Sequence, residues 1–217
     1  MDRRVFITPG EVSIGTALTE EAEAAGWQVV STVTEDVSAP ENEEASNIIR
    51  RSGRSVLSAR RTLLDCVNIL HGIDVAMILH EAVQDKKPVH ELSPVAIEEY
   101  VDTTIKDLVF ILREVLSIFV RQGSGTLAMV SYVPDETTLL PLCAAVVSAF
   151  RGITDSLTTL YQNENIIING FECVNESPER YSRFILQQLS GKAGETSGKW
   201  YRCGGAGRLT KRWPFRT

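Results

Sequence analysis

Val5-Phe6-Ile7-Thr8-Pro9-Gly10-Glu11-Val12-Ser13-Ile14-Gly15 runs from an apolar stretch through a turn into a periodic one. β-Branched and aromatic residues at Val5–Thr8 predict a short buried strand. Pro9 to Val12 supplies the turn, and Ser13 is the expected N-cap of a helix through about Ala25, ended by Gly26. Gln28 to Val33 is the next predicted strand. A strand, a glycine-containing turn, a helix and a second strand open a Rossmann-type unit, so the expected class is α/β with a doubly wound parallel sheet in three α/β/α layers.

The rest of the chain repeats the alternation. A third strand is expected at Asn47–Arg50, after a stretch holding Glu35, Asp36, Glu41, Glu43 and Glu44. That stretch reads as a solvated acidic loop with a short helix at most. Ser55 to about Leu70 is a predicted helix ended by His71-Gly72, and Ile73–Glu81 a fourth strand. Ser93 and Pro94 are an N-cap and first-turn residue for a long helix. Its Val101, Ile105, Leu108, Leu112, Val115 and Phe119 recur every three or four positions. Leu127–Tyr132 is the expected central strand, followed by a helix capped by Asp135. Leu142, Val146, Ala149, Ile153, Leu157 and Leu160 form its apolar face. Asn165–Phe171, a helix from Ser177-Pro178 and a closing strand near Trp200 complete the pattern.

Length and composition agree with one such domain over residues 1–206. The 217 residues can bury a substantial core, and 43% hydrophobic with 23% charged residues is ordinary for a soluble globular chain. No apolar run is long enough to span a bilayer, and the N-terminus lacks signal-peptide character, so a cytoplasmic location is expected. Cys66, Cys143, Cys173 and Cys203 show no paired spacing, which points to reduced thiols and no metal site. The net charge of −6 hides an asymmetry: residues 192–217 hold seven Lys/Arg against one Glu. Residues 207–217 form a basic tail with Trp213 and Phe215. A nucleic-acid arm is not favoured on so acidic a body, whereas docking on a sister subunit fits it.

Several segments resemble the short-chain dehydrogenase/reductase family, in order, to about Gly205. Gly152-Ile153-Thr154-Asp155-Ser156-Leu157 is similar to the body of its active-site helix. Ile73-Asp74-Val75 resembles its fourth strand, and Thr196-Ser197-Gly198 through Gly204-Gly205 its closing strand. In the family the first turn reads Thr-Gly-x-x-x-Gly-x-Gly. Here Thr8, Ile14 and Gly15 match and Gly10 lies beside the first glycine position, making these four the candidate cofactor-binding residues. Pro9 lacks an amide donor and Glu11 places a negative charge near the phosphate position. A plain strand-to-helix turn remains an equal reading. The ribose position falls on Val33, and the family's Asn-Asn-Ala-Gly on Ile78-Leu79-His80-Glu81.

The resemblance also locates the catalytic positions. The tyrosine and lysine of Tyr-x-x-x-Lys fall on Cys143 and Val147, the asparagine on Thr104, and the serine at or next to Ser131. None of these replacements supplies a hydroxyl beside a cation, so no catalytic residue is expected. Arg151 stands about two turns beyond Cys143 on a similar side. The leading expectation is a non-catalytic relative with no cofactor, acting through protein contacts or a non-redox ligand. The resemblance implies a homodimer or tetramer through helices 94–121 and 136–162, or a hetero-oligomer with an active relative. The alternative is an oxidoreductase that still binds NAD(H) or NADP(H) and uses Ser131, Tyr132 or His80. For His80, a half-buried structural histidine competes with a general base.

Overall fold

The computed structural model describes residues 3–35, 47–53, 55–82, 87–134 and 139–204. The acidic stretch 36–46, Asp135 and the basic tail 207–217 lie outside the described residues. In chain order the elements are β1 (Arg4–Thr8), α1 (Ser13–Ala24), β2 (Gln28–Thr34), β3 (Ile48–Arg51), α2 (Val56–Leu70) and β4 (Val75–Glu81). They continue with α3 (Pro94–Val101), α4 (Asp107–Gln122), β5 (Gly125–Val133), α5 (Pro141–Leu160), β6 (Ile166–Val174), α6 (Pro178–Ser190) and β7 (Trp200–Cys203).

All seven strands join one parallel sheet in the order β3-β2-β1-β4-β5-β6-β7. Alternation along each strand sends side chains to two separate cores. Phe6, Val30, Ala76, Ile78, Leu127, Met129 and Ile168 face α2, α4 and α5. Val5, Ile7, Val29, Met77, Val130, Tyr132 and Phe171 face α1 and α6. This is a doubly wound α/β/α sandwich. The strand order reverses between β1 and β4, so their carboxyl ends open a crevice, which is where open parallel sheets place their ligands.

Several caps follow the sequence. Ser55, Ser93 and Ser177 each accept a hydrogen bond from the amide three residues on, at 3.0, 3.2 and 3.3 Å. Ser13 does not cap α1. The N-cap is Val12, which offers no side-chain acceptor, and the Ser13 hydroxyl donates elsewhere. The last long helix begins at Pro141 rather than 136, because Pro fits the first helical turn and Leu140 before it is extended. The segment after Ser93 is also not one uninterrupted helix. A π-helical turn over Asp102–Lys106 separates α3 from α4. Thr103 and Thr104 hydroxyls there donate back to the carbonyls of Glu99 and Tyr100 at 2.8 and 2.5 Å, competing with the helical amides for those acceptors.

Candidate functional site

The crevice at the β1–β4 switch point holds a cavity of about 330 Å³. Thr8, Glu11, Arg51, His80, Tyr100 and Phe150 are among its walls, drawn from the ends of β1, β3 and β4 and from α3 and α5. Ile78, Leu108, Ile111 and Val146 add apolar surface. Thr104 also lines it.

At the first turn the polar groups are bound up within the chain. The Gly10 amide donates to the Thr32 carbonyl at 2.7 Å. Thr8 and Thr32 hydroxyls share a hydrogen bond of 2.7 Å. Both glycines serve close packing: a Cβ on Gly10 would sit 2.9 Å from the Thr32 oxygen, and one on Gly15 2.5 Å from the Pro9 oxygen. Ile14 is fully buried in the core beneath.

The N-terminus of α1 already carries an anion. Glu81, at the end of β4, accepts from the Ser13 hydroxyl at 2.8 Å and from the Ile14 amide at 3.1 Å through one carboxylate oxygen. Unsatisfied amides and the helix dipole make such a terminus attractive to negative charge. Glu11 reaches the other way. Its Oε1 accepts from the Thr34 amide at 3.2 Å and from the Thr34 hydroxyl, tying the turn to the end of β2. A pyrophosphate on this turn would have to displace the Glu81 carboxylate and lie beside that of Glu11. The residues as arranged do not fit a dinucleotide.

Arg51 crosses the floor of the crevice. It is 7% exposed, pairs with Asp107 at the start of α4 and approaches the Thr8 hydroxyl at 3.4 Å. His80 packs against the Phe150 ring, with centroids 5.9 Å apart, and burial pushes its pKa down to about 4. Its imidazole is therefore neutral near pH 7.

The family-derived catalytic positions are dispersed. Cys143 and Val147 join a small apolar cluster with Ala82 and Val133, away from the main cavity. Burial raises the Cys143 thiol pKa, and a hydrogen bond with the Tyr100 phenol partly offsets that rise. The same two groups line a second cavity of about 50 Å³. Tyr100 itself is raised by burial and then by the neighbouring thiol. Ser131 is buried in β5, where its carbonyl accepts from the Tyr181 phenol at 3.1 Å. Tyr132 points into the α1/α6 layer and donates to the Glu176 carbonyl at 2.7 Å. Arg151 does not turn toward Cys143; it pairs with Glu172 and lies 4.8 Å over the Trp200 ring.

Of the sequence candidates, the cavity therefore gathers Thr8, Thr104 and His80. Sequence reasoning missed Arg51, Tyr100 and the Glu81 cap. An arginine at a predicted strand end and a glutamate at the switch-point strand were the only signals for two of them. Among the described residues, no group of three or more His, Cys, Asp or Glu is placed to hold a metal ion, and no helix is long and apolar enough to cross a membrane.

No family model and no curated protein matches the sequence. Solved structures do match the fold. Levodione reductase superimposes with a TM-score of 0.78 at 16% identity, covering 94% of this chain and 97% of that one. An NADH-dependent reductase responsible for alginate metabolism gives 0.77 at 13% identity, covering 94% and 96%. A short-chain dehydrogenase/reductase from Brucella ovis, in complex with a partially ordered NAD, gives 0.75 at 10%, covering 94% and 100%. At such identities the likeness establishes the architecture: the chain has the short-chain dehydrogenase/reductase fold.

Proposed function

We propose that this chain is a non-catalytic member of the short-chain dehydrogenase/reductase family. It acts through oligomer or partner contacts or through a non-redox ligand, and it does not use NAD(H) or NADP(H). The observation that carries the reading is the Glu81 carboxylate seated on the N-terminus of α1. An intramolecular anion there competes with any phosphate at unlimited effective concentration, and Glu11 adds like-charge repulsion beside it. The proton-transfer side is consistent with this. Hydride chemistry on this fold needs a hydroxyl beside a cation, and the thiol of Cys143 has valine, not lysine, one helical turn away.

The competing oxidoreductase reading requires a proton donor in the crevice. Tyr132 is committed to the opposite layer and Ser131 is not among the cavity walls. His80 lines the cavity but is held neutral by an apolar surrounding, with no carboxylate bonded to it among the described residues.

The outer surfaces of the helix corresponding to 94–121 and of α5 retain exposed apolar side chains: Val95, Val109, Val120 and Leu160. These support self-association or pairing with a relative through those helices. Calorimetric titration with NAD, NADH, NADP and NADPH at low salt tests the central claim. The expected result is no heat and no thermal stabilisation at millimolar nucleotide; micromolar binding of any of the four would overturn it.

A further inference from the structure

Three buried side-chain polar atoms among the described residues have no hydrogen-bond partner: Glu11 Oε2, Arg51 Nε and His80 Nε2. All three residues wall the same cavity. Orphaned buried groups cost on the order of 1–3 kcal/mol each, so their convergence on one hollow marks a place built to be filled. Arg51 is the strongest of them. Its two terminal nitrogens are held by Asp107 and Thr8, which aims the remaining Nε–H in a fixed direction.

We infer that the cavity is a binding site for a small, phosphate-free amino-heterocycle of about nucleoside size, uncharged or carrying one positive charge. This rests on the reading that the crevice excludes a dinucleotide. Each requirement follows from the walls. Glu11 Oε2 can only accept, so the occupant must present an N–H or O–H. Arg51 Nε can only donate, so it must also present an oxygen or ring-nitrogen acceptor. A neutral imidazole can meet either kind of group at Nε2, according to its tautomer. Phe150, Ile78, Leu108 and Val146 provide apolar surface for a flat ring. Glu11, Glu81 and Asp107 against the single Arg51 leave the walls net negative, which disfavours an anion. A volume of about 330 Å³ lies at the small end of ligand sites, which run from about 300 to 1,000 Å³.

The experiment pairs each neutral probe with its own anion. Adenosine and cytidine are titrated against the full-length protein, beside AMP and CMP and beside NADH. The expected result is binding of at least one nucleoside, with its 5′-monophosphate weaker by about tenfold or more. Glu11→Gln should weaken nucleoside binding by about tenfold and narrow the gap to the monophosphate. Arg51→Lys keeps a cation for Asp107 but removes the Nε–H, and should also weaken the nucleoside. Circular dichroism and a cooperative melt show whether each variant is folded. Nucleoside binding that neither variant changes would overturn the proposal, as would equal affinity for nucleoside and monophosphate. Failure of both nucleosides at millimolar concentration would overturn it too, leaving the orphaned atoms to water. Micromolar NADH binding instead sinks the exclusion of the dinucleotide, a result the nucleoside comparison does not depend on.

Discussion

Replacing Glu81 by alanine isolates the feature on which the functional reading turns. Its carboxylate accepts from Ser13 and from the Ile14 amide, and it faces the positive end of α1. A charge-assisted hydrogen bond in a buried setting is worth about 1.5–3 kcal/mol, but Glu81 is half-exposed, so about 1 kcal/mol for each is the better scale. The dipole interaction adds about 0.5 kcal/mol. Loss of about 2 kcal/mol is therefore expected for Glu81→Ala, and about half of that for Glu81→Gln, which keeps an oxygen acceptor without the charge. Urea denaturation with unchanged m-value reads the difference directly, and a melt should fall by roughly 4–8 °C in a chain of this size. The alanine variant also uncovers a helix N-terminus. Millimolar inorganic phosphate should then stabilise it while leaving the parent protein unaffected. An alanine variant within about 0.5 kcal/mol of the parent, or equal stabilisation of both by phosphate, would refute the assignment of Glu81 as an internal anion.

Other consequences can be checked with similar means. His80 is held neutral by burial with its pKa near 4, whereas an unfolded imidazole titrates near about 6.5. As pH falls the unfolded chain takes the proton first, so this contribution to stability is whole above about 6.5 and is lost towards pH 4, by at most on the order of 3 kcal/mol. His80→Gln should flatten the stability–pH curve across that window; an unchanged slope by urea denaturation would contradict it. Gly15→Ala would bring a methyl to 2.5 Å from the Pro9 oxygen and 2.8 Å from that of Gly10, and should cost about 1–3 kcal/mol, read from the same denaturation curves. Val109 and Val120 lie on one face of α4, three turns apart, and are 47% and 50% exposed. If that face carries self-association, Val109→Lys should shift the sedimentation coefficient to that of a monomer without lowering the melting temperature.

The layers were legible from sequence because their causes are local. Apolar residues at period two in Val5–Thr8 and at three and four in the segment after Pro141 can each satisfy one buried face, and the alternation of such segments leaves a doubly wound parallel sheet. Capping was legible where the cap lies three residues from its donor, as at Ser55, Ser93 and Ser177. Ser13 shows the limit: its sequence context is that of a cap, yet its hydroxyl is drawn to a carboxylate 68 positions away. The same holds for the long helix, where the π-turn at Asp102–Lys106 leaves no mark in hydrophobic periodicity.

The site follows this division. Substitutions at Cys143 and Val147 are visible in the chain as missing groups, and Pro9 as a missing donor. What replaces them is invisible there. Glu81 meets α1, Arg51 meets Asp107, and Tyr100 meets Cys143 only after the sheet has set β4 beside β1 and brought α3, α4 and α5 over the crevice. A sequence records which side chains lack a familiar partner. Which distant side chain supplies a new one depends on ångström-scale distances between strand ends, and those exist only once both layers are packed.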